Sequence, residues 1–209
     1  MTDSSRHHSA LDRALFGWVA AVWVVTAIAP RYREDWLLEN LLVFVTVGAL
    51  FAGRRHFTFS TRAYAMLAIF ATLHLIGAHY TYSETPLGFW VRDWLGLERN
   101  HYDRFVHFAF GFLCGLPLRE LLSRAAGVVP SWRGPLAIVA VLSFSGFFEA
   151  LEAVAALLVS PELGAAYLGT QGDEFDAQKD TLMALSGVLL VLLSGRIIAG
   201  IKKPRRNGA

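Results

Sequence analysis

Long apolar blocks alternate with short polar segments along most of this chain. Each block approaches the roughly 17–25 residues that a helix needs to cross the hydrocarbon core of a bilayer. Because lipid admits only helices and closed barrels as spanning structures, apolar runs this long and continuous predict helices. The pattern therefore predicts an all-α, polytopic helical membrane bundle, a single domain over residues 1–209, with about six transmembrane helices at 11–29, 36–52, 63–80, 105–122, 135–159 and 181–201.

The first block has a second interpretation, because its last three residues, 27–29, read Ala-Ile-Ala and resemble the cleavage site of a signal peptide. Pro30 would then follow the cut directly. Trp18 and Trp23 are also bulky for a segment that is removed. These features favour an uncleaved span.

Charged residues set the orientation of the bundle. They make up 17% of the sequence, against about 25% in a soluble domain. If both termini share one side with the loops 53–62 and 119–133, that side holds 13 of the 19 Lys and Arg but only 3 of the 17 Asp and Glu. Because basic loops mark the cytoplasm, both termini are predicted to be cytoplasmic, with 81–103 and 160–178 outside.

This orientation explains the basic residues, so they indicate no nucleic-acid partner. The single Cys114 lies inside a predicted span. It permits neither an internal disulfide nor a cysteine metal cage.

Four ionisable residues interrupt the apolar spans in pairs that share a helix face. Asp103 and His107 are four residues apart near the fourth span, and Glu149 and Glu152 are three apart in the fifth. Intramembrane ionisable residues are costly and usually face the bundle interior, where they mark a site. Two carboxylates one turn apart in an apolar helix need protons, cations or basic partners.

An acidic segment precedes the sixth span. Asp173, Asp176 and Asp180 fall on one stripe if the helix begins early. His74 lies in the third span, and with the orientation above all these residues reach the outer-leaflet depth of their helices. We therefore expect one outward-facing site, in which Asp103, His107, Glu149, Glu152 and Asp176 line one cavity with neighbouring members within about 3–6 Å of each other.

Several of these features also have a purely structural interpretation. A lone histidine in a span, such as His74, is commonly a helix–helix hydrogen-bonding residue. Asp103 could cap its helix or pair with the adjacent Arg104. Glu174 and Lys179 could form a solvated rim around the acidic segment.

Three segments carry a resemblance to a known family: "HYDRFVHFAFGFL", "FFEALE" and "GTQGDEFDAQKDTLMALSG". They resemble the YjdF-type family of uncharacterised bacterial inner-membrane proteins, from about residue 35 onward, and more distantly the VanZ-like superfamily. The resemblance implies a helical fold and a multi-pass location in the bacterial inner (cytoplasmic) membrane. It brings no settled activity.

The wider VanZ-like pattern has an Asp-basic-x-x-His segment, a Glu-x-x-Gln-like segment and an Asp-x-x-Asp helix start with Asn and Gly following. Glu152 stands where that pattern has Gln, and Asp180 where it has Asn, so this chain is more acidic there. The residues that match the pattern are Asp103, Arg104, His107, Asp173, Asp176 and Gly187.

The first functional hypothesis is a metal-dependent hydrolase or transferase that acts on a lipid or lipid-linked envelope substrate. Nitrogen and oxygen donors suit zinc, iron or manganese. Such an ion can generate a nucleophile from bound water. The expected catalytic residues are Asp103, Glu149 and Asp180, and the expected metal ligands are His74, His107, Glu152, Asp173 and Asp176.

Two other functions stay open. The same acids could carry protons or a cation in a coupled transporter, although Ser143 and Ser145 are the only polar candidates leading inward from Glu149. They could instead bind an envelope headgroup without chemistry. Membrane lipids or a lipid-linked substrate are the expected partners, and the sequence does not specify an oligomeric state.

Overall fold

The computed structural model describes residues 9–201, and this range contains eight α-helices and no β-strand. Six helices are long, and two short ones lie in the connections. The eight are α1 (Ala10–Thr26), α2 (Arg33–Gly53), α3 (Thr61–Tyr80), α4 (Pro86–Leu95), α5 (Tyr102–Arg124), α6 (Pro130–Leu158), α7 (Pro161–Leu168) and α8 (Asp176–Ile201).

The six long helices occupy the six predicted apolar blocks, which confirms the helical membrane bundle. Within the described range, five of them (α2, α3, α5, α6 and α8) are long and apolar enough to cross a membrane. Helix α1 has 17 residues, at the lower limit of a spanning helix. The count of six spans and the side of the termini stay predictions.

Helix ends differ from the predicted spans mainly where a helix begins with polar residues. Hydropathy registers only the apolar part of a helix, so a polar first turn is assigned to the preceding loop. Helix α1 also ends earlier than predicted, at Thr26. The early starts are Tyr102 for α5 instead of 105, Pro130 for α6 instead of 135, and Asp176 for α8 instead of 181.

Two short helices, α4 and α7, lie in segments that the sequence predicts as outer loops. They have 10 and 8 residues, which is too short for a helix to cross the membrane. Both begin with proline, whose fixed φ suits the first turn. Both end at a left-handed glycine, Gly96 (φ 64°) and Gly169 (φ 56°), where a side chain would add strain.

Helix α5 lies at the centre of the bundle and packs against α3, α6 and α8. Its approach to α8 is very close. A Cβ atom at Gly111 would overlap the backbone of Ala184, and one at Gly187 would overlap the backbone of Phe108. Small residues permit this backbone contact between membrane helices. As a result, the first turns of α5 and α8 lie side by side.

Apolar side chains cover the outside of the bundle. Val45, Leu157 and Leu158 are 70%, 84% and 80% exposed. Apolar exposure of this extent is unfavourable in water and favourable in lipid. The surface therefore agrees with a membrane location for the long helices.

Candidate functional site

Two arginines hold Asp176 at the end of the bundle where α5 and α8 begin. Arg99 donates from both terminal nitrogens to the Asp176 carboxylate, over 2.7 and 3.1 Å. Arg104 donates to Asp176 over 2.9 Å and to Asp173 over 2.5 Å. Bidentate, charge-assisted contacts of this kind are strong and directional. Arg104, the alternative partner that the sequence offered for Asp103, thus binds the acidic segment of α8.

Asp173 forms the outer edge of this ion-pair network. Lys179 donates to both of its oxygens, over 2.8 and 2.6 Å, and the Phe175 amide donates over 3.1 Å. The Lys179 contacts, followed by those of Phe175 and Arg104, hold the pKa of Asp173 well below its ordinary value of 3.8. Asp173 also lies outside the compact group formed by Asp103, Asp176 and Asp180. Asp173 therefore belongs to the rim that was expected for Glu174 and Lys179.

Asp103, Asp176 and Asp180 form a compact carboxylate triad. One oxygen from each lies within 4.8 Å of the others. Asp180 is 1% exposed, and its Oδ1 has no hydrogen-bond partner among residues 9–201. The Arg104 Nε atom is 4.0 Å from it. A buried carboxylate oxygen without a partner is costly unless it binds a proton or a cation. The triad therefore fits a divalent cation.

His107 connects α5 to α6 beside the triad. Its Nε2 lies 3.1 Å from Oε1 of Glu149 and 3.6 Å from Oδ1 of Asp103. Its Nδ1 lies 3.2 Å from the Ser145 hydroxyl oxygen. The imidazole is 7% exposed, so the two helices fix both its position and its orientation. These distances fall within the range expected from the sequence.

Glu149 and Glu152 extend the acidic cluster along α6, and Glu39 extends it onto α2. Glu152 is 9% exposed and lies one turn after Glu149 on the same helix. Glu39 is 2% exposed and interacts electrostatically with Asp103 and Glu149. The described residues supply no hydrogen-bond partner for Oε2 of Glu39. Glu39 is not among the site residues predicted from the sequence, although Glu39 interrupts an apolar block as Glu149 does.

His74, expected from the sequence to be a metal ligand, lies in a hydrogen-bond chain between α2 and the turn after α3. Its Nε2 lies 3.2 Å from the Glu39 carbonyl oxygen, and its Nδ1 lies 2.5 Å from the Tyr82 hydroxyl. The carbonyl can only accept, so Nε2 carries the proton and Tyr82 donates to Nδ1. Both ring nitrogens therefore have protein partners, as in the structural interpretation of this histidine.

Arg99 is a further site residue that the sequence analysis missed. It lies in the connection between α4 and α5, and besides Asp176 it donates to the carbonyl oxygen of Thr170. The neighbouring His101 lies beside Arg104 and Arg99. Burial, followed by these two positive charges, lowers the pKa of His101 from its ordinary value of 6.5. A lone arginine in a polar connection has no sequence pattern that distinguishes it from a surface residue.

The fold and the buried polar cluster define a polytopic helical membrane protein with an acidic site at one end of the bundle. Residues 11–200 match the family described as "Predicted membrane protein (DUF2238)". The inner membrane protein YjdF of Escherichia coli (strain K12) is 35% identical over 175 residues, which cover 82% of each chain. The chain belongs to this YjdF-type DUF2238 family, as its sequence motifs indicated. No solved structure matches it.

Proposed function

We propose that this protein is a divalent-cation-dependent hydrolase or transferase that acts on a lipid or lipid-linked substrate of the cell envelope. The observation that carries the proposal is the Asp103, Asp176 and Asp180 triad, in which the buried Oδ1 of Asp180 has no hydrogen bond from residues 9–201 and only the Arg104 Nε atom, 4.0 Å away, as a charged neighbour. A cation held by the three carboxylates would compensate that oxygen. Arg99 and Arg104 already neutralise part of the cluster, mainly at Asp173 and Asp176.

The donor set narrows the choice of ion. Three carboxylates are hard oxygen donors, which suit manganese, magnesium or calcium better than zinc. His107, with Nε2 3.6 Å from Asp103, is better located to orient that carboxylate than to bind the same ion. Among the metals suggested by the sequence, manganese fits best.

Glu149 and His107 are suited to the acid–base chemistry. A bound divalent cation would polarise substrate oxygen atoms and stabilise charge that develops on them. Nε2 of His107 lies 3.1 Å from Oε1 of Glu149, so the two side chains could pass a proton between them while Glu149 takes one from an attacking water. The Ser145 hydroxyl lies 3.2 Å from Nδ1 of His107, which fixes the orientation of the ring toward Glu149.

The location of the site supports a substrate from the membrane. The triad comes from the first two turns of α5 and α8, at the ends of helices long enough to span the membrane, near the level of the lipid headgroups. Arg99 and Arg104 are 11% and 17% exposed, and within residues 9–201 their Nε atoms have no hydrogen-bond partner. Guanidinium groups bind anionic headgroups such as phosphate well.

The metal content of the purified protein tests this proposal. Wild type, Asp180→Asn and Glu174→Gln are reconstituted in nanodiscs, dialysed against manganese and analysed by mass spectrometry of the elements. Asparagine keeps the size of Asp180 and removes its charge, so this variant should lose the ion. Glu174 belongs to the same acidic segment but is exposed, so its variant should retain one ion per chain, like wild type.

Thermal melting separates metal loss from misfolding. Manganese at about 100 times its Kd should stabilise wild type and Glu174→Gln by about 2.7 kcal/mol, because it binds only the folded chain. Asp180→Asn should melt cooperatively and show no such increase. If wild type holds no stoichiometric metal, and melting does not respond to manganese, zinc, iron or chelator, the metal-dependent function is rejected.

Cation- or proton-coupled transport is the second candidate, and the buried Glu39 and Glu152 favour it. These two acids continue the carboxylate cluster beyond the triad, as in proton relays. Proton flux into proteoliposomes that is abolished by Glu152→Gln and retained in Glu174→Gln would support transport. Absence of both metal and flux would leave headgroup binding without chemistry.

A further inference from the structure

The short helix α4 directs its apolar face away from the protein. Leu87, Trp90, Val91, Trp94 and Leu95 occupy positions i, i+3, i+4, i+7 and i+8 and so form one stripe. Four of the five are strongly exposed: Leu87 is 51%, Trp90 62%, Trp94 72% and Leu95 55% exposed. A helix on the surface of a soluble protein shows the opposite arrangement, with its apolar stripe on the core.

The opposite side of α4 is fixed to the bundle. Asn100 is fully buried and donates to the Thr85 carbonyl oxygen over 3.0 Å, just before α4 begins. Its side chain also lies against Gly88, where a Cβ atom would overlap it. The backbone of Asn100 exchanges two hydrogen bonds with the Gln171 side chain, of 3.0 and 2.9 Å. The orientation of α4 is therefore tied to the connection that carries Arg99.

The position of α4 in the chain restricts what can cover the stripe. It connects the end of α3 with the start of α5, both of which are long and apolar enough to span the membrane. With 10 residues it is about 15 Å long, too short to cross a hydrocarbon core of about 30 Å. The helix therefore stays at the membrane surface, on the side of the acidic site.

We infer that α4 lies flat in the interface between lipid headgroups and acyl chains and immerses this stripe in the bilayer. Tryptophan is enriched at that depth because its ring is apolar and its N–H polar, and Trp90 and Trp94 stack at 5.9 Å on this face. A second copy of the chain fits less well. One face of a helix about 15 Å long covers much less than the roughly 800 Å² per partner of a stable interface.

The consequence is a fixed depth for the acidic site. Because Asn100 and Gln171 couple α4 to Arg99 and to the loop before α8, the interfacial helix would hold the site at headgroup level. This inference does not depend on a metal ion or on catalysis. It concerns only which solvent contacts α4.

Spin labels on α4 test the inference directly. In a Cys114→Ala background, which removes the only cysteine, single cysteines replace Leu87 or Trp94 on the stripe and Asp93 on the polar side. The proteins are labelled in nanodiscs of phosphatidylcholine and phosphatidylglycerol. Collision rates are measured with oxygen, which concentrates in lipid, and with a nickel complex, which stays in water. The oxygen-to-nickel ratio should be several-fold higher at 87 and 94 than at 93.

Two results would overturn it. Equal ratios at all three positions, with frequent nickel collisions, would put α4 in water. Labels at 87 and 94 that are shielded from both reagents and broadened by dipolar coupling would instead assign the stripe to a second copy. Leu87→Cys keeps both tryptophans, so the experiment does not depend on the Trp94 variant folding well.

Discussion

Nε2 of His107 on α5 lies 3.1 Å from Oε1 of Glu149 on α6, while Nδ1 of the same ring lies 3.2 Å from the hydroxyl of Ser145. Ser145 and Glu149 are one turn apart, so one face of α6 contacts both nitrogens of this buried imidazole. A metal ion could reach either nitrogen only by displacing one of these partners. The arrangement therefore suits a histidine that orients carboxylates.

Replacing Ser145 by alanine should weaken the α5–α6 contact without removing a metal. Interhelical hydrogen bonds in membranes contribute about 0.6–2 kcal/mol, so the free energy of unfolding should fall by that amount. Ser143→Ala is the matched control, because Ser143 is exposed on the same helix. Chemical unfolding in detergent and elemental analysis measure the two effects. Metal loss at unchanged stability would instead make His107 a ligand.

Replacing Gly187 by alanine should separate α5 from α8. The added Cβ overlaps the backbone of Phe108, and overpacking of this kind costs about 1–3 kcal/mol. It should also weaken manganese binding, because Asp103 and Asp180 lie on the two separated helices. Gly195→Ala is the control on the same helix, since a Cβ there meets open space. Equal melting temperatures for the two variants would contradict the close approach.

The long helices could be predicted from the sequence because the bilayer requires a minimum apolar length, and that length is visible in hydropathy. The stripe of Leu87, Trp90 and Trp94 is also present in the sequence. A ten-residue helix is nevertheless below the length at which the pattern is distinctive, so the sequence predicts a loop where the structure has α4. The predicted span for α8 begins at 181 and not at Asp176, because the first turn of this helix is polar and hydropathy marks only apolar residues.

The site could be predicted only where spacing along one helix carries the information. Asp103 with His107 is such a case, because the structure places the two side chains 3.6 Å apart and His107 contacts α6. The partners of His74 could not be predicted, because Tyr82 reaches it through a turn in which Thr81 and Tyr82 adopt positive φ angles of 53° and 45°. Hydrophobic periodicity contains no signal for such a turn.

Acidification should destabilise the protein partly through Asp173. In the folded protein the pKa of Asp173 is lowered, mainly by the hydrogen bonds from Lys179. The ionised Asp173 therefore contributes its full stabilisation above the ordinary pKa of 3.8, and this stabilisation is lost as the pH falls below that value. The melting temperature of Asp173→Asn should therefore fall less than that of wild type between about pH 5 and about pH 3. Glu174→Gln should behave as wild type. Parallel curves for Asp173→Asn and wild type would exclude this contribution.

Removing the Tyr82 hydroxyl should destabilise the fold and leave metal binding intact. Phenylalanine at this position leaves Nδ1 of the buried His74 without a donor, at a cost of about 1–3 kcal/mol. Tyr80→Phe, two residues earlier and partly exposed, serves as the control. Unfolding free energy and manganese content are compared for both variants. Manganese loss in Tyr82→Phe alone would return His74 to the metal site.

The orientation of the bundle can be tested with single cysteines in the Cys114→Ala background. The distribution of Lys and Arg predicts that Ser83 and Ser160 lie outside and Ser123 inside. Cysteines at 83 and 160 should react with a membrane-impermeant thiol reagent in intact cells, and one at 123 should react only after lysis. Labelling of 123 alone in intact cells would reverse the orientation. The triad and α4 would then face the cytoplasm, and the proposed enzyme would take its lipid from the inner leaflet.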